Sequence, residues 1–326
     1  MHDSSPIGND EIRAARERIA PHVHRTPIMT CSTLDQRFDA RLFFKCENFQ
    51  KSGAFKVRGA FNAVMSMSTD DAERGVVTSS SGNQAAAVAL AAAARGIPAY
   101  IAMPNIAVES KVRSVERYGG NIVRVESRDD FPTIAEYDAT VTATIERTGA
   151  SFVHPYDDRR TIAGQASCAA ELLEDAPDLD LVLAPVGGGG LLSGTCLAAG
   201  QAARAVSVIG CEPLMADDAA QSLAAGTIVP QNNPRTVADG LRTSLGDLNF
   251  PIIRDRVEQI ATVSEESIMA TMRLVWETMK LVIEPSAAVP LATLLEGSVK
   301  AGGRRVGVIF TGGNVDLDAL GLRLAP

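Results

Sequence analysis

Short apolar runs alternate along this chain with longer stretches in which apolar residues recur every three or four positions. Ile12, Ala15 and Ile19 fall on one helical face after Asn9-Asp10, a suitable cap, and Pro21 closes that period. Residues 42–46 read as a strand, 47–53 as a loop, and a helix carrying Phe55, Lys56 and Val57 runs towards Met67. From Arg74-Gly75 the alternation becomes regular. Strand 76–79 precedes an Ala-rich helix over 83–95, strand 99–103 precedes helix 107–118, and strand 122–125 precedes a helical stretch near 131–148. The second half repeats the pattern, with helix 161–175, strand 181–184, helix 190–203, strand 206–209 and helix 214–225. Ser264 caps a helix through Met279, Glu284-Pro285 opens another, and 306–310 is a last buried strand. Apolar strands alternating with helices predict an α/β protein whose parallel sheets are flanked by helices on both faces. There is no repeat, heptad or long linker, so a second domain is inserted rather than strung on. Residues 1–8 read as disordered.

Composition narrows the function classes. The chain has 326 residues, is 46% hydrophobic and 21% charged, and carries a formal net charge of −8, which disfavours a nucleic-acid surface. No apolar run approaches membrane-spanning length and no signal peptide opens the chain. Five scattered cysteines suit a reducing cytoplasm better than disulfides or zinc. With four histidines, a His-based triad or His-rich metal site is disfavoured.

The chemistry is expected at the carboxyl ends of the strands, where parallel sheets place their ligand-binding loops. Three Gly-containing loops hold that position: Ser79-Ser80-Ser81-Gly82-Asn83, Pro185-Val186-Gly187-Gly188-Gly189-Gly190-Leu191, and Thr311-Gly312-Gly313-Asn314. Four glycines between a strand and a helix leave backbone N–H groups uncovered at a positive dipole end, which suits a phosphate. A tight turn packed against its neighbours would also select glycine. The spacing is not that of a dinucleotide fingerprint or a nucleotide P-loop. Lys56 stands among apolar and small residues, which lowers its pKa and favours a Schiff base with an aldehyde.

These segments together resemble the fold-type-II pyridoxal-phosphate enzymes, the serine/threonine dehydratases and serine racemases. Ser52-Gly53-Ala54-Phe55-Lys56-Val57-Arg58-Gly59-Ala60 looks like the cofactor-attachment motif. Ser80-Ser81-Gly82-Asn83, the tetraglycine, Ile283-Glu284-Pro285 and Thr311 to Asp316 match in the same order. The resemblance implies two domains with tryptophan-synthase-β-like sheets: residues 1–72 and 155–326 binding the cofactor, and 73–154 closing over the substrate. It implies that Lys56 holds pyridoxal 5′-phosphate and moves protons at the substrate Cα, and that Phe55 lies against the ring. Asn83 would meet the ring hydroxyl, Gly187, Gly188, Gly189 and Gly190 with Leu191 the phosphate, and Thr311 the pyridine nitrogen. A hydroxyl at that nitrogen, unlike a carboxylate, need not keep it protonated, which favours expulsion of a β-hydroxyl over transamination. The loop Ser80, Ser81, Gly82, Asn83 and Gln84 would grip the substrate carboxylate. The implied reaction is dehydration of serine, threonine or a related β-hydroxy amino acid to a 2-oxo acid and ammonia. Ser81 matches the racemase branch, where a serine moves a proton on the second face, so serine racemisation is an alternative. A β-replacement synthase and a catalytically idle regulator are weaker ones. The family also implies a homodimer and a divalent cation, Mg²⁺ or Ca²⁺, on the Glu212 and Asp218 carboxylates and the Ala216 carbonyl. An acidic helix start complementing its dipole would explain those acids equally well.

Four departures from the family pattern bear on the substrate. Ala54 replaces the usual serine, Gln84 the usual histidine, and Gln165-Ala166 departs from Gly-Gln-Gly. Ala143 or a neighbour stands where the racemase branch has an arginine for a second carboxylate, which argues against hydroxyaspartate.

Overall fold

The computed structural model describes residues 7–316 except 106, 108 and 128–132. Residues 1–6 of the predicted disordered start, and 131–132 of the predicted helical stretch, therefore lie outside the described residues. Ile7 is buried against Ile12 and Ile162, so the ordered chain begins earlier than expected.

The strands are β1 (Ile28–Met29), β2 (Arg41–Cys46), β3 (Val76–Ser79), β4 (Ala99–Pro104), β5 (Asn121–Val125), β6 (Ser151–Phe152), β7 (Leu181–Pro185), β8 (Ser207–Pro213), β9 (Gln259–Val263) and β10 (Arg305–Phe310). They form two sheets, one in the order β1-β2-β10-β7-β8-β9 and one in the order β5-β4-β3-β6. Every pairing is parallel except β1 with β2.

The first helices are α1 (Asn9–Ile19), α2 (Ser32–Phe38), α3 (Lys56–Met65), α4 (Thr69–Glu73), α5 (Asn83–Arg95), α6 (Glu109–Arg117) and α7 (Ile134–Thr148). They are followed by α8 (Arg159–Asp175), α9 (Gly190–Ala199), α10 (Asp218–Ala225), α11 (Asn249–Arg256), α12 (Glu265–Met279) and α13 (Pro285–Glu296). Both faces of the larger sheet are covered: α12 and α13 close the core around Phe44, Leu183 and Val308, and α8, α9 and α11 the one around Val182, Ala184 and Ile309. Strands buried on both faces are why β7 and β10 read as unbroken apolar runs. The smaller sheet packs α3 and α5 on one face and α7 on the other. No described helix is long and apolar enough to cross a membrane.

Short or polar elements escaped the periodic pattern. β1, β6, β9, α2, α4 and α11 were not expected, and β8 runs on to Pro213, where β9 continues to pair with it. The predicted helix 214–225 is split by Asp217 into a 3-10 turn (Leu214–Ala216) and α10.

Helix α3, which begins at Lys56, crosses α8 at glycines. A methyl group on Gly59 would lie 2.4 Å from Nε2 of Gln165, and one on Gly164 would lie 2.6 Å from the Arg58 carbonyl. The crossing surrounds a buried ionic cluster. Arg58 donates to both oxygens of Glu47 (2.7 and 2.8 Å) and of Glu171 (2.8 Å each), while Lys45 donates to Glu171 at 2.6 Å. Burial would push the Glu47 carboxyl up, but Arg58 holds it below the usual carboxylate range. Two cations and two anions balance, so the helix that carries Lys56 is fastened on both sides in the interior.

Candidate active site

The site assembles where the chain leaves β2, β3, β7 and β10. Because β2 and β10 pair in parallel with Cys46 opposite Phe310, the segment leading to Lys56 and the Thr311 loop emerge side by side. Backbone hydrogen bonds then lock them. Phe55 N–H donates to the Thr311 carbonyl (2.9 Å), Gly313 N–H to Gly53 (2.9 Å) and Glu284 N–H to Gly312 (3.0 Å). Asn314 Nδ2 donates to the Ser52 carbonyl (2.7 Å) and to Oδ1 of Asn83 (2.8 Å), and Asn83 Nδ2 donates to Glu284 at 2.9 and 3.1 Å. The residues predicted from four distant stretches are thus joined in one network.

Lys56 is the first residue of α3, with Nζ 2.7 Å from the Pro155 carbonyl and 5.4 Å from the centre of the Phe55 ring. Burial draws its ammonium down from 10.5 to about 8, and the Glu284 charge opposes this. Near pH 8 a large share of the side chain is therefore free amine, the form that attacks an aldehyde. Thr311 is buried and its Oγ1 has no partner. Ser80, Ser81 and Gly82 form the turn between β3 and α5, where the Ser80 hydroxyl accepts from Gly82 N–H at 3.1 Å. Helix α5 starts without a side-chain cap, and a methyl group on Gly82 would meet nothing within 4 Å. Open space beside uncapped N–H groups suits a carboxylate. Gln84, in the first turn, is buried with both amide atoms unpartnered.

The tetraglycine turn satisfies both explanations offered for it. Gly189 has φ +93°, and α9 begins at Gly190 without a side-chain cap, leaving its first N–H groups open. Close packing also demands the glycines. A methyl group on Gly187 would lie 3.0 Å from Cα of Leu241, and one on Gly188 would lie 2.3–2.4 Å from three atoms of the Tyr156 ring. Leu191, next in α9, is buried in the core of the larger sheet.

Several contributors had no role legible in the sequence. Glu284 lies in a matched motif that attaches no role to it; it is buried, and burial pushes its carboxyl up to about 7, with the Asn83 hydrogen bond opposing and the Asp239 charge adding. Pro155 and Tyr156 sat in a segment without periodicity. Lys111 of α6 reaches across to Asp239 at 2.6 Å. Ala143 is exposed on α7, whereas the neighbouring Thr144 is buried with its hydroxyl on the Thr140 carbonyl.

The proposed cation ligands lie together where β8 leads into α10. Glu212 accepts from Ala219 and Ala220 N–H, both at 3.0 Å, and burial pushes it up to about 9. Asp218 accepts from Gln231 at 2.8 Å through one oxygen, its other is buried without a partner, and burial pushes it up to about 6. Two adjacent buried carboxylates, one with an unused oxygen, fit a hard cation. Among the described residues no group of three or more His, Cys, Asp or Glu is arranged for a metal, so carbonyl and water ligands would have to complete the shell.

Comparison with known proteins names the class. Residues 19–312 match the family model described as pyridoxal-phosphate dependent enzyme, and the chain belongs to that family, within its fold-type-II branch. It is 49% identical over 311 residues to a "beta-hydroxyaspartate dehydratase" of Paracoccus denitrificans, covering 95% of this chain and 97% of the relative. It is 45% identical over 318 residues to a serine racemase of Oryza sativa subsp. indica, covering 95% and 91%. The structure of maize serine racemase superposes with a TM-score of 0.91 at 44% identity, covering 95% of this chain and 94% of that one. Pyridoxal phosphate is therefore the cofactor, and the buried amine of Lys56, the orphaned Thr311 hydroxyl and the open start of α9 fit it.

Proposed function

We propose that the protein is an ammonia-lyase that dehydrates a β-hydroxy amino acid to a 2-oxo acid and ammonia. The observation that carries this reading is Thr311. A neutral, buried hydroxyl without a partner stands in the loop bonded to Phe55, next to the attachment lysine. Pyridoxal phosphate, when bound, supplies the electron-withdrawing ring that loosens the α-proton, and a neutral partner at its nitrogen favours elimination over transamination.

The chain's own residues do the rest. Lys56, with its pKa near 8, is poised to take the α-proton at neutral to mildly alkaline pH. Ser80 to Gln84 and the uncapped start of α5 bind the substrate carboxylate, and Asn83, held by Glu284 and Asn314, orients the ring hydroxyl. The layer formed by residues 73–154 closes over the substrate and excludes water. Serine, threonine and 3-hydroxyaspartate are the candidate substrates, the last supported by the Paracoccus relative.

Racemisation is the second reading, favoured by Ser81 in the substrate loop and by the rice relative. A panel of L- and D-serine, both threonine diastereomers and 3-hydroxyaspartate, scored for ammonia, 2-oxo acid and enantiomer together, separates the two. Ammonia release outpacing enantiomer interconversion is expected. Interconversion without ammonia would replace lyase by racemase.

The reading includes a divalent cation at Glu212, Ala216 and Asp218 that stiffens the region beside the cofactor. Chelation is expected to lower the melting temperature, with Mg²⁺ or Ca²⁺ restoring it. It also includes a cytoplasmic homodimer. Met269 and Trp276 lie exposed seven residues apart on α12, with Phe49 and Val282 also exposed, and light scattering tests the oligomeric state.

A further inference from the structure

The tetraglycine turn is shaped by one side chain outside it. Tyr156 lies in the segment between β6 and α8 and is half-buried. The near-contact of its Cγ, Cδ1 and Cδ2 with the methyl position of Gly188 means the ring lies face-on against that glycine's Cα. Its backbone fills the space beside Gly190, where a methyl group would meet the Tyr156 carbonyl at 3.0 Å and its Cα at 3.1 Å.

The tyrosine is itself held from several directions. His154 packs edge-on against the ring with centroids 4.7 Å apart, and Asn249 Nδ2 donates to the Tyr156 carbonyl at 3.1 Å. The next residue, Asp157, accepts from Leu248 N–H (2.9 Å), Asp247 N–H (3.1 Å) and Asn249 Nδ2 (3.1 Å), and Gly246 N–H in that turn donates to the Gly188 carbonyl at 3.2 Å. The preceding residue, Pro155, supplies the carbonyl that holds Lys56 Nζ at 2.7 Å. One rigid stretch therefore touches the attachment lysine through residue 155 and the phosphate turn through residue 156.

We propose that Tyr156 is a positioning residue for the cofactor: its ring is the wall against which the tetraglycine turn is moulded, and it sets where the phosphate sits relative to Lys56. The proposal rests on cofactor binding, which family membership establishes, and on the reading that Lys56 attaches the cofactor and the tetraglycine turn holds its phosphate, not on the lyase reading. Its failure would leave that reading untouched.

The test titrates cofactor-free protein with pyridoxal phosphate, followed by visible absorption and by the 31P signal of the bound phosphate. Tyr156→Phe keeps the ring and is expected to bind within about twofold of wild type with an unchanged 31P shift. Tyr156→Ala is expected to bind at least tenfold more weakly with a displaced 31P signal while keeping its circular dichroism. Should Tyr156→Ala not fold, Tyr156→Leu, which keeps bulk without a flat face, takes its place with the same expectation. Gly188→Ala completes a double-mutant cycle, because the added methyl collides with the ring only when the ring is there. It is expected to weaken binding strongly in the wild-type background and far less in the Tyr156→Ala or Tyr156→Leu background. Wild-type affinity and 31P shift in the truncated variant, or equal damage by Gly188→Ala in both backgrounds, would overturn the proposal.

Discussion

Glu284 shows how much a single residue gains from its surroundings. Buried and bonded to Asn83, it has a folded-state pKa near 7 against an ordinary 4.5, so the folded protein holds its proton more tightly than the unfolded chain. This group's contribution is fully present below about pH 4.5 and is lost as pH rises through about 7. A shift of this size corresponds to roughly 3 kcal/mol. Glu284→Gln cannot titrate. In urea denaturation of the cofactor-free protein, the variant is expected to gain on the order of 2–3 kcal/mol on wild type between pH 5 and pH 8. Parallel stability curves would show that the carboxyl titrates normally. The sequence displayed this residue as Glu before Pro at a helix start, within a segment matching the family pattern, but with no role attached. Neither its burial nor its partnership with Asn83, 201 positions away, is a local property.

At the level of elements, the placement of Lys56 depends on α3 and α8 being held in fixed register. Arg58 is fully buried between Glu47 and Glu171, and removing it leaves two carboxylates facing Lys45 alone. Arg58→Leu is expected to cost about 3–5 kcal/mol of unfolding free energy, the usual result of stranding a buried charge. A loss below 1 kcal/mol would mean that the cluster relaxes or hydrates. The start of α8 is a milder case. Asp158 accepts from Arg160 and Thr161 N–H at 2.7 and 3.2 Å, so Asp158→Ala is expected to cost about 1 kcal/mol, measured by the same denaturation. The long amphipathic helices and apolar strands were legible because periodicity reports burial directly. Two-residue strands such as β1 and β6 were not, since two residues carry no period.

Across the whole molecule, the two sheets meet over the site, and the Lys111–Asp239 ion pair spans them at its mouth. Asp239 begins a turn that packs on Gly187 through Leu241 and bonds Ser286 through Gly240 N–H at 3.1 Å, so the pair ties α6 to the floor of the site. Both partners are over one-third exposed at the side chain, so the pair is worth no more than about 1 kcal/mol. Lys111→Met is therefore expected to leave global stability within that margin while speeding amide exchange in residues 109–117. Slowed or unchanged exchange there would show that α6 is held by its apolar face alone. Sequence alone determined the α/β class and the order of the long elements, because periodicity is local, and it pointed to the cofactor through a resemblance carried by several motifs in one order. Tertiary structure decided which loops meet and what the glycines are for, because those depend on contacts between segments far apart in the chain. In sequence the tetraglycine shows only a turn with uncovered N–H groups; the Tyr156 ring, supplied from thirty-odd residues upstream, explains why no side chain fits at Gly188.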